Sequence, residues 1–402
     1  MRTARFPAQG QSEAEVESGL RLMRARDRDA FAGIRFARRF HAGDDIAELA
    51  ARTCALFAGA GRASHYPGLP ALPSMARIQA DLEAWSLELV RAPAGAVALL
   101  TSGGTESAIL ALREAWIARR KALPPGSVGE VIAAATAHPC IDKAAELLGL
   151  RLIRVPARPD HRADPAAMAA ATGPATVMLY ASAPAYANGL CDDVPAIATI
   201  ARAHGVRLHV DGSMGALLAP FQRMNGDEVP DFDLSVPGVA SISGDWHKHG
   251  YAAKGAAVLV LRDGPATPFA YAEHPLPPMI TDTLAGTAPG APLASAWAVA
   301  TRLGAAGYCA LAAALGETRT AFAAAIARVP GFAVLGDPRF SLMLVTSNRH
   351  DMAAVHAAMA RSGWFTLLSH APAGLHLNLN PGDAALAADF ARDLQSAART
   401  AA

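Results

Sequence analysis

The sequence predicts an α/β fold: a large domain on a mostly parallel central sheet covered by helices, then a smaller α+β C-terminal domain. Three observations predict it. Short apolar runs alternate with helical stretches through the middle of the chain, a rhythm that builds parallel sheets with helices on both faces. The 402 residues are enough for a large core and two domains. Hydrophobic residues make up 52% and charged residues 18%, a globular rather than a disordered balance.

Residues 1–60 read as an N-terminal helical segment with loops. Within it, "RLMRARDRDAFAGIRFARRF" (Arg21–Phe40) reads as an amphipathic helix with a solvated basic face, its charge diluted by Asp27 and Asp29. Residues 61–290 read as the large domain. It opens on the Pro-rich "SHYPGLPALP", followed by a helix from about Ser74. "AVALLTSGG" is a strand entering a glycine turn, and "TESAILALREAWIARRKAL" is a helix by its apolar spacing. "GEVIAAATAH", "RLIRVPA", "ATVMLYASAP", "VRLHVDG", "VASISGD" and "AAVLVLRD" read as strands, with helices "CIDKAAELLGL" and "DDVPAIATIARAHG" between them. Asp192 or Asp193 caps the latter helix and Gly205 ends it. Residues 291–402 read as a long helix to about Arg328, then short strands and helices.

Composition excludes several classes. A net charge of +1 gives no broad field to draw in nucleic acid or anionic lipid. Four widely spaced cysteines form neither a disulfide framework nor a zinc pattern, and a reducing cytoplasm is the expected compartment. The N-terminal stretch holds no apolar core, so no secretory signal is expected there. The nearest approach to a membrane span, Ala288–Leu315, is divided by Arg302 and reads as a buried, Ala-rich helix.

Four features sit at strand ends, where ligands of open α/β sheets bind. "TSGGTES" (Thr101–Ser107) joins a strand to a helix, so its glycines and free N–H groups can cradle an anion; it can equally be a capped tight turn. It is neither a Walker A nor a G-x-G-x-x-G motif. Asp211 ends the strand of "HVDGSMG", where it can face a ligand or cap the next segment. His138 follows a strand and is either structural or an aromatic face for a planar ring. "SISGDWHKHGYAAKG" carries Lys248 and Lys254. Its His247 and His249 suggest a metal pair, but no further ligands are evident and no metal is expected. A lysine amine can instead form a Schiff base with a carbonyl compound. An anion cradle, a planar-ring partner, a carboxylate and a lysine on one sheet are together what pyridoxal 5′-phosphate requires.

With those motifs in place, the sequence resembles the fold-type I pyridoxal-phosphate enzymes of the group II decarboxylase superfamily, and within them the sphingosine-1-phosphate lyases. The resemblance runs over roughly residues 60–385. It implies that Lys248 is the Schiff-base lysine, that Asp211 binds the pyridinium nitrogen and that His138 stacks on the ring. Gly104 and Thr105 match its phosphate loop, and His247 its neighbour of the lysine. "LAGT" is similar to a segment reaching the phosphate from the partner subunit, which implies a homodimer with Gly286 and Thr287 at a shared site. Lys254 matches a second lysine that the lyases place near the substrate and many decarboxylases lack. Tyr186, and with it Tyr66, resemble aromatic positions near the substrate. The chain departs from the pattern at Gly212–Met214, at Asn188, and in lacking the membrane anchor of eukaryotic lyases. The expected activity is retro-aldol cleavage of a β-hydroxy amine, such as a sphingoid base phosphate, to an aldehyde and an amine. Lys254, Tyr186 and Lys248 are the proton-transfer candidates. The alternative is decarboxylation of an amino acid on the same cofactor.

Overall fold

A computed structural model describes residues 6, 8–36, 39–62, 72–264, 267–271, 279–286 and 288–400. Three helices lead: α1 (Glu13–Ala30), α2 (Asp44–Leu56) and α3 (Pro73–Leu89). Next come β1 (Val97–Thr101), α4 (Gly104–Arg119), β2 (Glu130–Ala134), α5 (Cys140–Leu147), β3 (Arg151–Val155) and α6 (Pro165–Ala171). Then follow β4 (Thr176–Ser182), α7 (Val194–His204), β5 (Arg207–Asp211), α8 (Ala219–Met224), β6 (Val239–Gly244) and β7 (Ala257–Leu261). A small hairpin pairs β8 (Phe269–Tyr271) with β9 (Met279–Thr281).

The sheet order is β1-β7-β6-β5-β4-β2-β3. All its pairings are parallel except those of β7, which runs against both β6 and β1. The loop from Asp245 to Ala256 explains this, because it carries no crossover helix and so returns the chain antiparallel. Strands β2, β4 and β7 are buried along their whole length, which is why they read as continuous apolar runs. The carboxyl ends of β1, β2, β4, β5 and β6 lie at one edge of the sheet.

The C-terminal part begins with α9 (Ala291–Ala327), followed by β10 (Phe332–Val334), β11 (Leu342–Ser347), α10 (Met352–Arg361), β12 (Leu367–His370), β13 (Ala373–Asn378) and α11 (Ala387–Thr400). Its four strands form an antiparallel sheet, β10-β11-β13-β12.

Two sequence expectations need correction. The basic helix stops at Ala30, ten residues short of Phe40, because the chain turns through left-handed conformations at Gly33 and Phe36. Phe36 then packs on Phe322, Trp364 and Phe390. The second concerns α9, which is long and apolar enough by length and composition to cross a membrane. Only 22% of its most apolar window is buried within the chain. Leu293, Val299, Leu315, Phe322 and Ile326 mark the buried side. At Gly304 the φ of 57° interrupts the helix.

Gly189 ties the two parts together. Its φ is +79°, and a Cβ there would stand 2.4 Å from the Leu342 carbonyl oxygen at the start of β11. Both facts demand glycine. Gly189→Ala is expected to cost about 2–4 kcal/mol of stability. Chemical denaturation checks this, and an unchanged midpoint would contradict it.

Candidate active site

The edge of the sheet that gathers the strand ends opens into a cavity of about 340 Å³. Lys248, Asp211, His138, Gly104, Thr105, His247 and Tyr186 all line it. They arrive on five segments: the β5 end, the β6–β7 loop, the first turn of α4, and the loops after β2 and β4.

Lys248 Nζ lies 2.9 Å from Asp245 Oδ2. Burial alone would lower the pKa of this lysine, but Asp245 and Asp211 outweigh it and hold the ammonium above its usual value. Asp245 Oδ1 is buried and has no hydrogen-bond partner among the described residues. Such an oxygen is costly unless a ligand or a rearranged lysine meets it.

Asp211 ends β5 and is well supplied with donors. Its Oδ2 accepts from Tyr180 Oη at 2.8 Å, and its Oδ1 from Ser213 N at 3.1 Å and Ser243 Oγ at 3.3 Å. Burial pushes its pKa up, yet the Lys248 charge and these donors together bring it below the usual carboxylate value. Burial also raises the Tyr180 phenol well above its normal range, so Tyr180 stays protonated and donates. Behind it, the Cys140 sulfur is 3.3 Å from Tyr180 Oη. Burial pushes the Cys140 thiol up to about 12, so it is a neutral donor to the phenol oxygen.

His138 accepts the Cys140 N–H on Nδ1 at 3.1 Å. Burial lowers its pKa, which favours a neutral ring. Tyr186 meets this ring edge-on with centroids 5.7 Å apart. The phenol also accepts from Arg39 Nη1 at 3.1 Å.

The first turn of α4 supplies N–H groups that no intrahelical acceptor can satisfy. A Cβ on Gly104 would stand 2.4 Å from Ser213 Oγ and 3.4 Å from the Asp245 carboxylate, so a side chain there would press on the floor of the cavity. His247 stands over the same turn, its Nδ1 donating to the Ala256 carbonyl at 2.8 Å.

His249 turns away from its neighbour. Its Nε2 meets Ser341 Oγ at 2.9 Å in a buried position, so the two histidines do not make a metal pair. Among the described residues no group of three His, Cys, Asp or Glu side chains is placed to hold a metal. Lys254 does not line the cavity, but donates to the His247 carbonyl at 3.4 Å. Gly286 is exposed and also lies off the lining, though its segment is tied to α4 by the Leu284 N–H, 2.8 Å from Glu106 Oε1. Thr287 and Tyr66 lie outside the described residues. Asn188, one of the departures, is buried and structural: it donates to the His161 carbonyl and accepts from Leu190 N.

Sequence reasoning missed Asp245, Tyr180 and Arg39. Asp245 had a legible signal, since it sits three residues before Lys248 and at a strand end.

The architecture is that of the fold-type I pyridoxal-phosphate enzymes. A family model described as the pyridoxal-dependent decarboxylase conserved domain matches residues 62–275, more than half of the chain. The chain belongs to this family, and its cofactor is pyridoxal 5′-phosphate.

Within the family it is similar to a sphingosine-1-phosphate lyase of Burkholderia pseudomallei, at 30% identity and a TM-score of 0.91, covering 99% of this chain and 93% of that one. It is 31% identical to the Arabidopsis thaliana sphingosine-1-phosphate lyase over 75% of this chain and 56% of that protein. The chain thus spans little more than half the length of that relative. A probable L-aspartate decarboxylase of Pyrococcus furiosus is 31% identical over 66% of this chain and 70% of its own length.

The residues present fit the cofactor. The unpartnered Asp245 oxygen, the glycine floor at Gly104 and the lysine held between two carboxylates are all in one cavity.

Proposed function

We propose that the chain is a carbon–carbon lyase that cleaves a phosphorylated β-hydroxy amine, such as a sphingoid base phosphate, to an aldehyde and a phosphoethanolamine-like amine. The observation that carries the proposal is Lys248, paired with Asp245 and under the charge of Asp211, in a cavity that Tyr186 also lines. Likeness to a lyase over nearly the full length of both chains supports the choice of reaction.

The cofactor, when bound, supplies an electron sink for the charge left at the substrate Cα. Lys248 would anchor it covalently through Nζ. Asp211 would hold a proton at its ring nitrogen, and the depressed pKa keeps this carboxylate ionised for that role. His138, a neutral ring in the same cavity, would serve as its aromatic partner. Gly104 and Thr105, at the start of α4, and the nearby His247 would hold its phosphate. Tyr186, in the cavity wall, moves the β-hydroxyl proton. Lys254, whose Nζ donates to the carbonyl of the cavity-lining His247, would bring a second positive charge toward the substrate.

Tyr180 tunes Asp211 from behind. Tyr180→Phe removes one donor from the carboxylate without changing the side-chain packing. It is expected to lower kcat about tenfold, or ~1.4 kcal/mol of barrier, while the protein still binds the cofactor. Steady-state kinetics beside an absorption spectrum checks this, and unchanged kcat would contradict it.

Assembly and location belong to the same proposal. We place a helical segment at 1–60, the cofactor domain at 61–290 and the interdomain helix with the small domain at 291–402. We place the chain in the cytoplasm as a homodimer, and the dimer is supported by α1, which buries nothing within the chain, and by the apolar face that α9 leaves open. Gly286 and Thr287 would then complete the partner's site.

Decarboxylation is the second reading, favoured by the match to the aspartate decarboxylase. The two reactions differ in which bond to Cα is held perpendicular to the ring. Product analysis decides. Aldehyde release from a phosphorylated β-hydroxy amine supports the lyase. Carbon dioxide from an amino acid, with no aldehyde, overturns it.

A further inference from the structure

Glu106 is a buried carboxylate on the cavity lining that takes no part in the chemistry at Lys248. It is the third residue of α4. Its Oε2 accepts from Ser102 N and from Ser102 Oγ, both at 2.7 Å, and its Oε1 accepts from Leu284 N at 2.8 Å. Its donors among the described residues are neutral N–H and O–H groups, not a cation. A carboxylate in the first helical turn also meets the positive end of the helix favourably. Gly103 precedes α4 and has no side chain to cap it, so Glu106 closes the turn by reaching back to Ser102.

The two partners of Glu106 belong to separate parts of the chain. Ser102 lines the cavity with Gly103, Gly104 and Thr105, which form the cradle at the start of α4. Leu284 follows β9. Thr281 and Thr283 fold that stretch onto itself through hydroxyl bonds of 3.3 Å. Among the described residues, the one hydrogen bond tying 282–286 to anything beyond itself and β9 is that from Leu284 N to Glu106. A segment held by so few bonds is placed only as firmly as this one. The start of α4 has a second pin that does not involve Glu106: Thr101 Oγ1 meets Ser107 Oγ at 2.7 Å, and Ser107 Oγ donates to the Val258 carbonyl at 3.4 Å.

We propose that Glu106 is a positioning residue that links occupation of the phosphate cradle to the placement of residues 283–286. The proposal rests on the reading of Gly104 and Thr105 as that cradle. A phosphate drawing on the free N–H groups of α4 fixes its first turn. Glu106 belongs to that turn, and its second oxygen carries the constraint to Leu284. Linkage of this kind is reciprocal, so loosening the segment must weaken the hold on the phosphate. One carboxylate oxygen serves each side, and an amide can serve only one, because its NH2 cannot accept from an N–H.

Binding to the full-length protein, stripped of cofactor, tests the link without turnover. Pyridoxal 5′-phosphate and pyridoxal, which lacks the phosphate, are titrated separately, and the visible band gives each Kd. Glu106→Gln should raise the pyridoxal 5′-phosphate Kd at least about tenfold and leave the pyridoxal Kd within about twofold. Leu284→Pro deletes the N–H and leaves Glu106 in place. It should raise the same Kd about threefold or more, with the same selectivity. Hydrogen exchange reads the link directly. Saturating pyridoxal 5′-phosphate should slow exchange in the peptide spanning 279–286, pyridoxal should not, and Glu106→Gln should lose the slowing. An unchanged melting temperature of the stripped variants shows that the fold survives, as the Thr101–Ser107 pin predicts.

Three results would overturn the link. They are equal weakening of both ligands in Glu106→Gln, slowed exchange at 279–286 that persists in that variant, or an unchanged pyridoxal 5′-phosphate Kd in Leu284→Pro. Gly104→Ala separates the cradle reading from the link. An unchanged pyridoxal 5′-phosphate Kd in that variant would place the phosphate elsewhere and remove the basis of the proposal.

Discussion

Lys248→Ala is expected to remove the visible absorption band that borohydride bleaches, and with it turnover. The loss should be at least about a thousandfold, equivalent to ~4 kcal/mol of barrier. Among the described residues no other lysine lines the cavity. Lys254, the nearest alternative, lies off the cavity wall and faces Phe40 and the His247 carbonyl. Lys254→Ala should therefore keep the reducible band while losing activity. A reducible band in Lys248→Ala would show that the anchor lies elsewhere. The fold should tolerate the substitution, since removing the ammonium relieves no packing and leaves Asp245 to water entering the cavity.

Asp211→Asn should be nearly as severe. The amide keeps the size, and its one oxygen can still accept from Tyr180 or from Ser213 N, so the fold should survive. It carries no charge to hold a proton at the ring nitrogen. A fall of about a hundred- to a thousandfold in kcat is expected, or roughly 3–4 kcal/mol. The same variant has a predictable pH signature. The folded pKa of Asp211 is depressed, so its contribution to stability is present above the unfolded carboxylate value and is lost as pH falls through the depressed one. Wild type and Asp211→Asn should therefore begin to converge in stability below about pH 4, where the unfolded carboxylate protonates, and meet only below the depressed folded value. Comparing kcat and acid denaturation for the two proteins checks both points. A kcat within tenfold of wild type would contradict the role of the carboxylate.

Much of this site was legible because strand ends and the loops after them carry the chemistry. Lys248, Asp211, His138 and Gly104 each follow an apolar run, and the structure collects them at one edge. What was not legible depends on long-range geometry. The direction of β7 does not show in "AVLVL", since a buried strand reads the same either way; the helix-free loop before it decides. Tyr180 looks like one more buried residue of β4, and its partner Asp211 lies 31 positions on. Arg39 falls in a basic run that reads as a solvated helix face. Only the turn at Phe36, pinned by Trp364 and Phe390, brings Arg39 to Tyr186. The helix α6 was passed over because its seven residues are too few for a helical period to show.

One measurement bears on the central claim most directly. The cofactor-loaded protein is reduced with borohydride, digested, and its peptides are weighed. A phosphopyridoxyl mass on Lys248, with Lys254 unmodified, is the result expected from a lysine held between Asp211 and Asp245. The modification on Lys254, or on neither lysine, would contradict it.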